Sequence, residues 1–182
     1  MHDSDIVCFT ETHLRDDDSW PLTNITGSTH SIFRSSRTNS RGGGLAVCVK
    51  PEILTEVQSI IVTRSCELIC VKLLNHDLSV ICVYRPPRGN KNEFQDELLK
   101  VINCLPHESC IITGDFNIDY NTNNCSFANA LASHSFNQVV ESATTDQGTL
   151  LDHVYLRNLT LTSCHVYDTY YSYHDKVECY II

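Results

Sequence analysis

Short apolar, β-branched runs recur along this chain with only brief polar stretches between them, and their spacing limits the fold more than any other feature. Ser4–Phe9, His30–Phe33, Leu45–Val49, Ile53–Ile61, Glu67–Leu74, Leu78–Tyr84, Leu150–Leu156, Leu159–Tyr167 and Val177–Ile182 read as strands. Val139-Val140 reads as a shorter one. Asn75-His76-Asp77 predicts a hairpin turn, and the prolines of Tyr84-Arg85-Pro86-Pro87 stop a ladder. One stretch has a clear helical period: Phe94, Leu98, Val101, Ile102 and Leu105 give Glu93–Leu105 an apolar face that must rest on a sheet. Asn92 with Gln95 resembles its capping box. A second helix is predicted near Ser126–Ser135. Most strands stand too close together for a crossover helix at every step. The chain therefore reads as one α/β domain over residues 1–182, with many strands and no run of βαβ units.

Composition fits an ordinary globular chain, with 42% hydrophobic and 19% charged residues. No apolar run approaches the roughly 18 residues that cross a bilayer, so no membrane partner is expected. Met1-His2-Asp3-Ser4-Asp5 lacks the basic flank and apolar core of a signal peptide. The expected location is the nucleus or cytoplasm, not the secretory route. Of the 10 cysteines, Cys8, Cys48, Cys70, Cys82 and Cys110 fall inside apolar runs, and no C-x-x-C occurs. Reduced, buried thiols and no disulfide-linked partner follow.

The net charge of -9 excludes nucleic-acid binding through overall charge. The cations are clustered, however. Arg34, Arg37 and Arg41 share one Ser/Gly-rich loop, and Arg85, Arg88 and Lys91 share another. Two local basic loops can grip a phosphate backbone; solvated surface loops explain them equally well.

The stretch with most chemistry is Ile111-Ile112-Thr113-Gly114-Asp115-Phe116-Asn117-Ile118-Asp119. Its apolar start reads as a buried strand, with Gly114 permitting a sharp turn at its end. If strand geometry persists, Asp115 and Asn117 share one side of the backbone. Asp can hold a hard cation or take a proton from water, and Asn can donate to an anionic oxygen. A strand followed by an Asx-rich turn accounts for the same residues. Glu11, Tyr84 and Asp152 also stand at ends of strand-like runs, and His174 precedes the last run.

Taken in order, Thr10-Glu11-Thr12, Gly42-Gly43-Gly44, Tyr84-Arg85-Pro86-Pro87, Gly114-Asp115-Phe116-Asn117, Leu151-Asp152-His153-Val154 and Ser172-x-His174 resemble the endonuclease/exonuclease/phosphatase superfamily. In detail they are most similar to the apurinic-type endonuclease domain of non-LTR (LINE-like) retrotransposons. The resemblance implies a four-layer αββα sandwich of two mainly antiparallel sheets, and hydrolysis of DNA phosphodiesters with Mg²⁺, which Mn²⁺ can replace. By position it makes Glu11 the metal ligand, Asp115 the group that orients or activates water, and Asn117 a phosphate ligand. Tyr84 would stabilise developing charge, and His174, oriented by Asp152, would contact the phosphate.

Two departures accompany the resemblance. The family's first strand, with its catalytic Asn, and the following helix have no counterpart here, so the domain is expected to be N-terminally truncated. The closing Ser-Asp-His reads Ser172-Tyr173-His174, and a tyrosine offers no carboxylate at neutral pH. The reverse transcriptase that accompanies such domains is also absent from this chain. An impaired Mg²⁺-dependent endonuclease is expected. A catalytically dead relic that binds nucleic acid weakly, and a phosphatase of small phosphoesters, are the alternatives.

Overall fold

A computed structural model describes residues 4–14, 30–35, 42–105, 108–122 and 126–182. The polar segment 15–21, Arg37 and Arg41 lie outside the described residues. In chain order the elements are β1 (Ile6–Thr10), β2 (Ser31–Ser35), β3 (Leu45–Val49), β4 (Thr55–Val62), β5 (Glu67–Leu73) and β6 (Leu78–Tyr84). Then follow α1 (Lys91–Asn103), β7 (Ser109–Asp115), α2 (Ser126–Ser133), β8 (Asn137–Gln138), β9 (Asp152–Arg157), β10 (Leu161–Tyr167) and β11 (Lys176–Ile181).

The strands make a six-stranded sheet in the order β4-β5-β6-β7-β9-β8, a three-stranded sheet β1-β3-β2 and a two-stranded ribbon β10-β11. Every pairing is antiparallel except β6 with β7, which is parallel and bridged by α1. A parallel pair needs such a crossover, and the stretch between Tyr84 and Ser109 is long enough to supply it with α1.

Strand alternation sorts the large sheet's side chains into two layers. On one face Leu68, Cys70, Ile81, Val83, Cys110, Ile112 and Tyr155 pack with Phe94, Leu98 and Ile102 of α1 and with Phe127 and Leu131 of α2. On the other, Ile69, Val71, Leu73, Val80 and Cys82 meet Leu45, Val47 and Val49 of β3. Farther along that face, Val154 and Leu156 meet Val166, Val177, Cys179 and Ile181 of the ribbon. The result is an α/β sandwich in which both described helices cover the same face. Each fully buried aliphatic side chain is worth about 1.5–3 kcal/mol, so truncating Leu98 at the centre of α1 would cost about 2–5 kcal/mol.

Several boundaries differ from the sequence expectation. The N-cap of α1 is Asn90, whose side chain accepts from the N–H groups of Asn92 and Glu93, and not the Asn92–Gln95 box. A tight turn, Gly89 N–H to Pro86 O at 2.8 Å, starts the helix early, and Ser65 Oγ accepts the Asn90 N–H at 3.0 Å. The short strand expected at Val139-Val140 falls instead on Asn137–Gln138, which pair with Leu156 and Tyr155. The described cysteines are free thiols, and burial pushes those of Cys66, Cys70 and Cys110 up to about 12, which keeps them protonated and unreactive. No described helix is long and apolar enough to cross a membrane.

Candidate active site

Four polar residues occupy one rung of the large sheet. Glu67 pairs with Tyr84, Tyr84 with Asp115, and Asp115 with Asp152, across β5, β6, β7 and β9. Residues on one rung point to the same side, here the face towards the smaller sheets. At about 4.8 Å per strand the row is roughly 14 Å long. Sequence reasoning found three of its members and missed Glu67. A count could have found it, because Glu67 and Tyr84 are equally distant from the hairpin turn between Leu73 and Leu78. Glu67 is buried, and its Oε2 accepts the Gly44 N–H at 2.7 Å.

Glu11 stands just past β1 with φ 51° and accepts a hydrogen bond from the Tyr84 hydroxyl. A left-handed φ in a non-glycine residue is strained, and such strain concentrates at functional sites. The glycine triplet holds this turn in place. Thr12 N–H donates to Gly44 O at 3.1 Å and His13 N–H to Gly43 O at 2.9 Å. A Cβ on Gly44, at φ 93°, would stand 2.5 Å from Thr12 Oγ1. The triplet therefore serves as a seat for the Glu11 turn.

Around Asp115 the structure corrects the sequence expectation twice. Gly114 lies inside β7, with φ 139° and the Val83 backbone where its Cβ would be, so it permits close strand approach and not the turn. Strand geometry ends at Asp115. Phe116 is fully buried against His153 (4.5 Å, stacked), Phe94 and Phe127, and Asn117 turns left-handed at φ 46°. Asn117 thus returns to Asp115 through an Asx-turn: its N–H donates to Oδ1 and its Nδ2 to Oδ2, both at 2.8 Å. The same Nδ2 donates to Arg85 O at 2.9 Å, so Asn117 must release a partner before it can donate to a phosphate.

Asp152 and His174 form the other end of the site. His174 Nδ1 donates to Asp152 Oδ2 at 2.7 Å; a carboxylate only accepts, which fixes the proton on Nδ1. His174 Nε2 then faces Asp115 Oδ2 at 3.8 Å, buried and with no hydrogen-bond partner. Thr144, also missed from the sequence, holds this arrangement. Its Oγ1 accepts the N–H groups of Leu151 and Asp152, and its carbonyl accepts the Asp175 N–H at 2.9 Å. Tyr173 packs its ring on that of His174, centroids 4.3 Å apart.

Negative charge dominates the electrostatics. Burial, then the Asp152 carboxylate, pushes the Asp115 carboxyl up to about 7, with Glu11 adding to the shift. For His174, burial acts downward, but the bond from Asp152 and the Asp115 and Glu11 carboxylates outweigh it and raise the imidazole. Asp115, Asp152 and His174 bring one ligand atom each within 4.8 Å of the others. Hard oxygen donors crowded until one carboxyl resists ionisation fit a divalent cation, whose charge would relieve the crowding.

The proposed cations divide. Arg85 is buried and does not face solvent: Nε donates to Phe116 O at 2.7 Å, and its remaining nitrogens to the Gly89 and Asn117 carbonyls. It braces the loops after β6 and β7. Arg34, Arg88 and Lys91 are exposed. Arg88 borders an open cleft of ≈ 290 Å³ lined also by Glu11, Gly42, Gly43, Tyr84, Pro86 and Pro87, on the Tyr84 side of the rung.

Among solved structures, the chain resembles the human Nocturnin catalytic domain with bound sulfate anion, at TM-score 0.71 and 16% identity, covering 98% of this chain and 80% of that one. It resembles the endonuclease domain of TRAS1, a telomere-specific non-LTR retrotransposon, at TM-score 0.70 and 13% identity, over 96% and 83%. The D146N form of the 3′ phosphatase NExo from Neisseria, bound to product DNA hairpin, gives TM-score 0.74 and 15% identity over 98% and 89%. At such identities these likenesses establish the fold. No curated protein sequence matches the chain. The model of the endonuclease/exonuclease/phosphatase family matches residues 1–174 and so takes in every residue of the rung, together with Glu11, Asn117 and His174; the chain belongs to that family.

Proposed function

We propose that the chain hydrolyses a phosphodiester of DNA by attack of water at the Glu11–Asp115–His174 site, with Mg²⁺, and that it derives from a non-LTR retrotransposon endonuclease. The observation that carries this reading is the convergence of Asp115, Asp152 and His174 within 4.8 Å, at the end of a rung that also holds Tyr84. A divalent cation held by the carboxylates, Glu11 included, would supply Lewis-acid withdrawal of charge from the phosphate. Asp115 would orient the attacking water and accept its proton. His174, whose charged form Asp152 favours, would in that form donate from Nε2 to a phosphate oxygen, and Asn117 donates its amide after exchanging one present partner. Tyr84, whose hydroxyl now donates to Glu11, would turn its phenol to developing charge on exchanging that bond.

A second reading has its own observation. Tyr173 stands where the family's closing motif has Asp and offers the cluster a half-exposed phenol, which burial and three carboxylates keep protonated. On that reading the chain is impaired or inactive. Nicking of supercoiled plasmid with Mg²⁺ separates the two. The expected result is weak nicking that falls at least about 10²-fold in Asp115→Ala and rises in Tyr173→Asp. No nicking by either the parent chain or Tyr173→Asp, both folded by circular dichroism, would overturn the endonuclease reading.

A further inference from the structure

The loop joining β10 to β11 presents aromatic rings to solvent beside the proposed site. Tyr170 is fully exposed, Tyr171 is 88% exposed and Tyr173 is 50% exposed. Large apolar rings at a loop tip are a cost to a free protein unless something covers them. This loop is also built to hold them out. Thr169 Oγ1 donates to the carbonyl of His174 (2.7 Å), with the Ser172 carbonyl also 3.3 Å away, and Ser172 Oγ accepts the His174 N–H at 3.0 Å. Its base is tied to the neighbouring loop by Asp146 N–H to Tyr173 O at 3.1 Å and by the bridge between Thr145 and His174.

The order of strands gives the loop a side. Along the rung from β6 to β9, Tyr84, with Glu11 and the Arg88 cleft, lies at one end; Asp152, with His174 and Tyr173, lies at the other. A polynucleotide running along the rung from the Arg88 cleft would leave the site over the tyrosine loop. Charge there does not favour phosphates. Asp146, Asp168 and Asp175 surround the loop, and Lys176 is engaged with Glu178 at 3.0 Å. Stacking of a nucleobase on an aromatic face does not need a cation at that face, and unpaired bases have free faces to offer.

We propose that Tyr170 and Tyr171 form a stacking platform for unpaired nucleobases flanking the scissile phosphate on its His174 side. The proposal rests on the phosphodiesterase reading above and narrows its substrate to strands with unpaired bases at that position.

The test uses the full chain and single-stranded DNA carrying 2-aminopurine, whose fluorescence is quenched on stacking. Three proteins are compared: the parent, the pair Tyr170→Ala with Tyr171→Ala, and the pair Tyr170→Phe with Tyr171→Phe. Both positions are exposed, so neither pair disturbs the core. The parent and the phenylalanine pair are expected to quench the probe, and the alanine pair to lose the quench and bind about 10-fold or more weakly. An abasic strand should bind all three alike. Equal binding and quenching by the alanine pair would overturn the platform, and so would the same loss on a blunt duplex. Tyrosine-dependent quenching in a chain that never hydrolyses DNA would uphold the platform and defeat the phosphodiesterase reading. Hydrolysis lost in Asp115→Ala, without tyrosine-dependent quenching, would do the reverse.

Discussion

Asp152 and His153 are adjacent on β9 and have opposite chemistry, because alternate strand positions face different surroundings. Asp152 joins the open end of the rung, whereas His153 points into the helical layer, fully buried. There its Nε2 faces the carbonyls of Ile118 (2.9 Å) and Leu150 (3.1 Å), so it carries the proton and leaves Nδ1 to accept from Tyr155 Oη at 3.1 Å. The neutral ring is fully satisfied, and burial lowers its pKa to about 4. The unfolded histidine takes its proton near pH 6.5, so between 6.5 and 4 the unfolded chain binds more protons and stability falls with pH. The loss should approach about 3 kcal/mol by pH 4. Chemical denaturation at pH 7.5 and 4.5, beside His153→Gln, checks this: the loss across that window should shrink by about that amount in the variant. Residue types at the site were legible in the sequence, since Glu11, Asp115, Asn117, Asp152 and His174 carry recognisable chemistry. Their geometry was less so. Asn117 reaches Asp115 through a left-handed turn that a two-residue spacing does not announce, and Arg85 has the composition of a surface cation while its three nitrogens are used by backbone carbonyls.

At the scale of elements, the parallel pair β6–β7 carries the most consequence. It places Tyr84 beside Asp115, and it depends on the Val83 backbone approaching Gly114 with no side chain between them. Gly114→Ala should therefore cost at least about 2 kcal/mol in denaturant unfolding, through backbone displacement at a strained φ. It should also lower nicking more than the stability loss alone predicts, because any shift of β7 moves Asp115. A loss below about 0.5 kcal/mol would mean that the two strands part without effort. The strands and the amphipathic period of α1 were visible in the sequence because alternation and 3.6-residue spacing are local. Which strands pair is not local. The parallel step, the lateral order that puts β9 between β7 and β8, and so the rung itself, come from packing between segments far apart in the chain.

For the whole molecule, the net charge of -9 sets how DNA can be held. Each phosphate neutralised on a duplex contributes about -0.9 to the slope of log K against log salt. Of the six cations expected in two basic loops, Arg34 on β2, Arg88 and Lys91 at the start of α1 are the exposed ones among the described residues, which sets an expected slope of about -3 or shallower. A titration between 50 and 200 mM salt measures it; a slope near about -4.5 would bring Arg37 and Arg41 into contact as well. Binding this insensitive to salt needs a contribution from contacts other than ion pairs.

The rung described above has a consequence for inheritance. Its four members come from four strands, and each stays on the inner face only while the residue count from its own turn is kept. Deleting one residue from β7 ahead of Gly114, with the pairing upstream held, would bring Phe116 opposite Tyr84 and turn a carboxylate site into a plug of apolar side chains. Substitutions along β5, β6, β7 and β9 leave the rung in place while those counts hold, provided they keep the buried packing, Gly114 and the four members themselves. A change of length in any of these strands therefore removes the chemistry while leaving the sheet, whereas a change of identity removes it only at the rung and its supports.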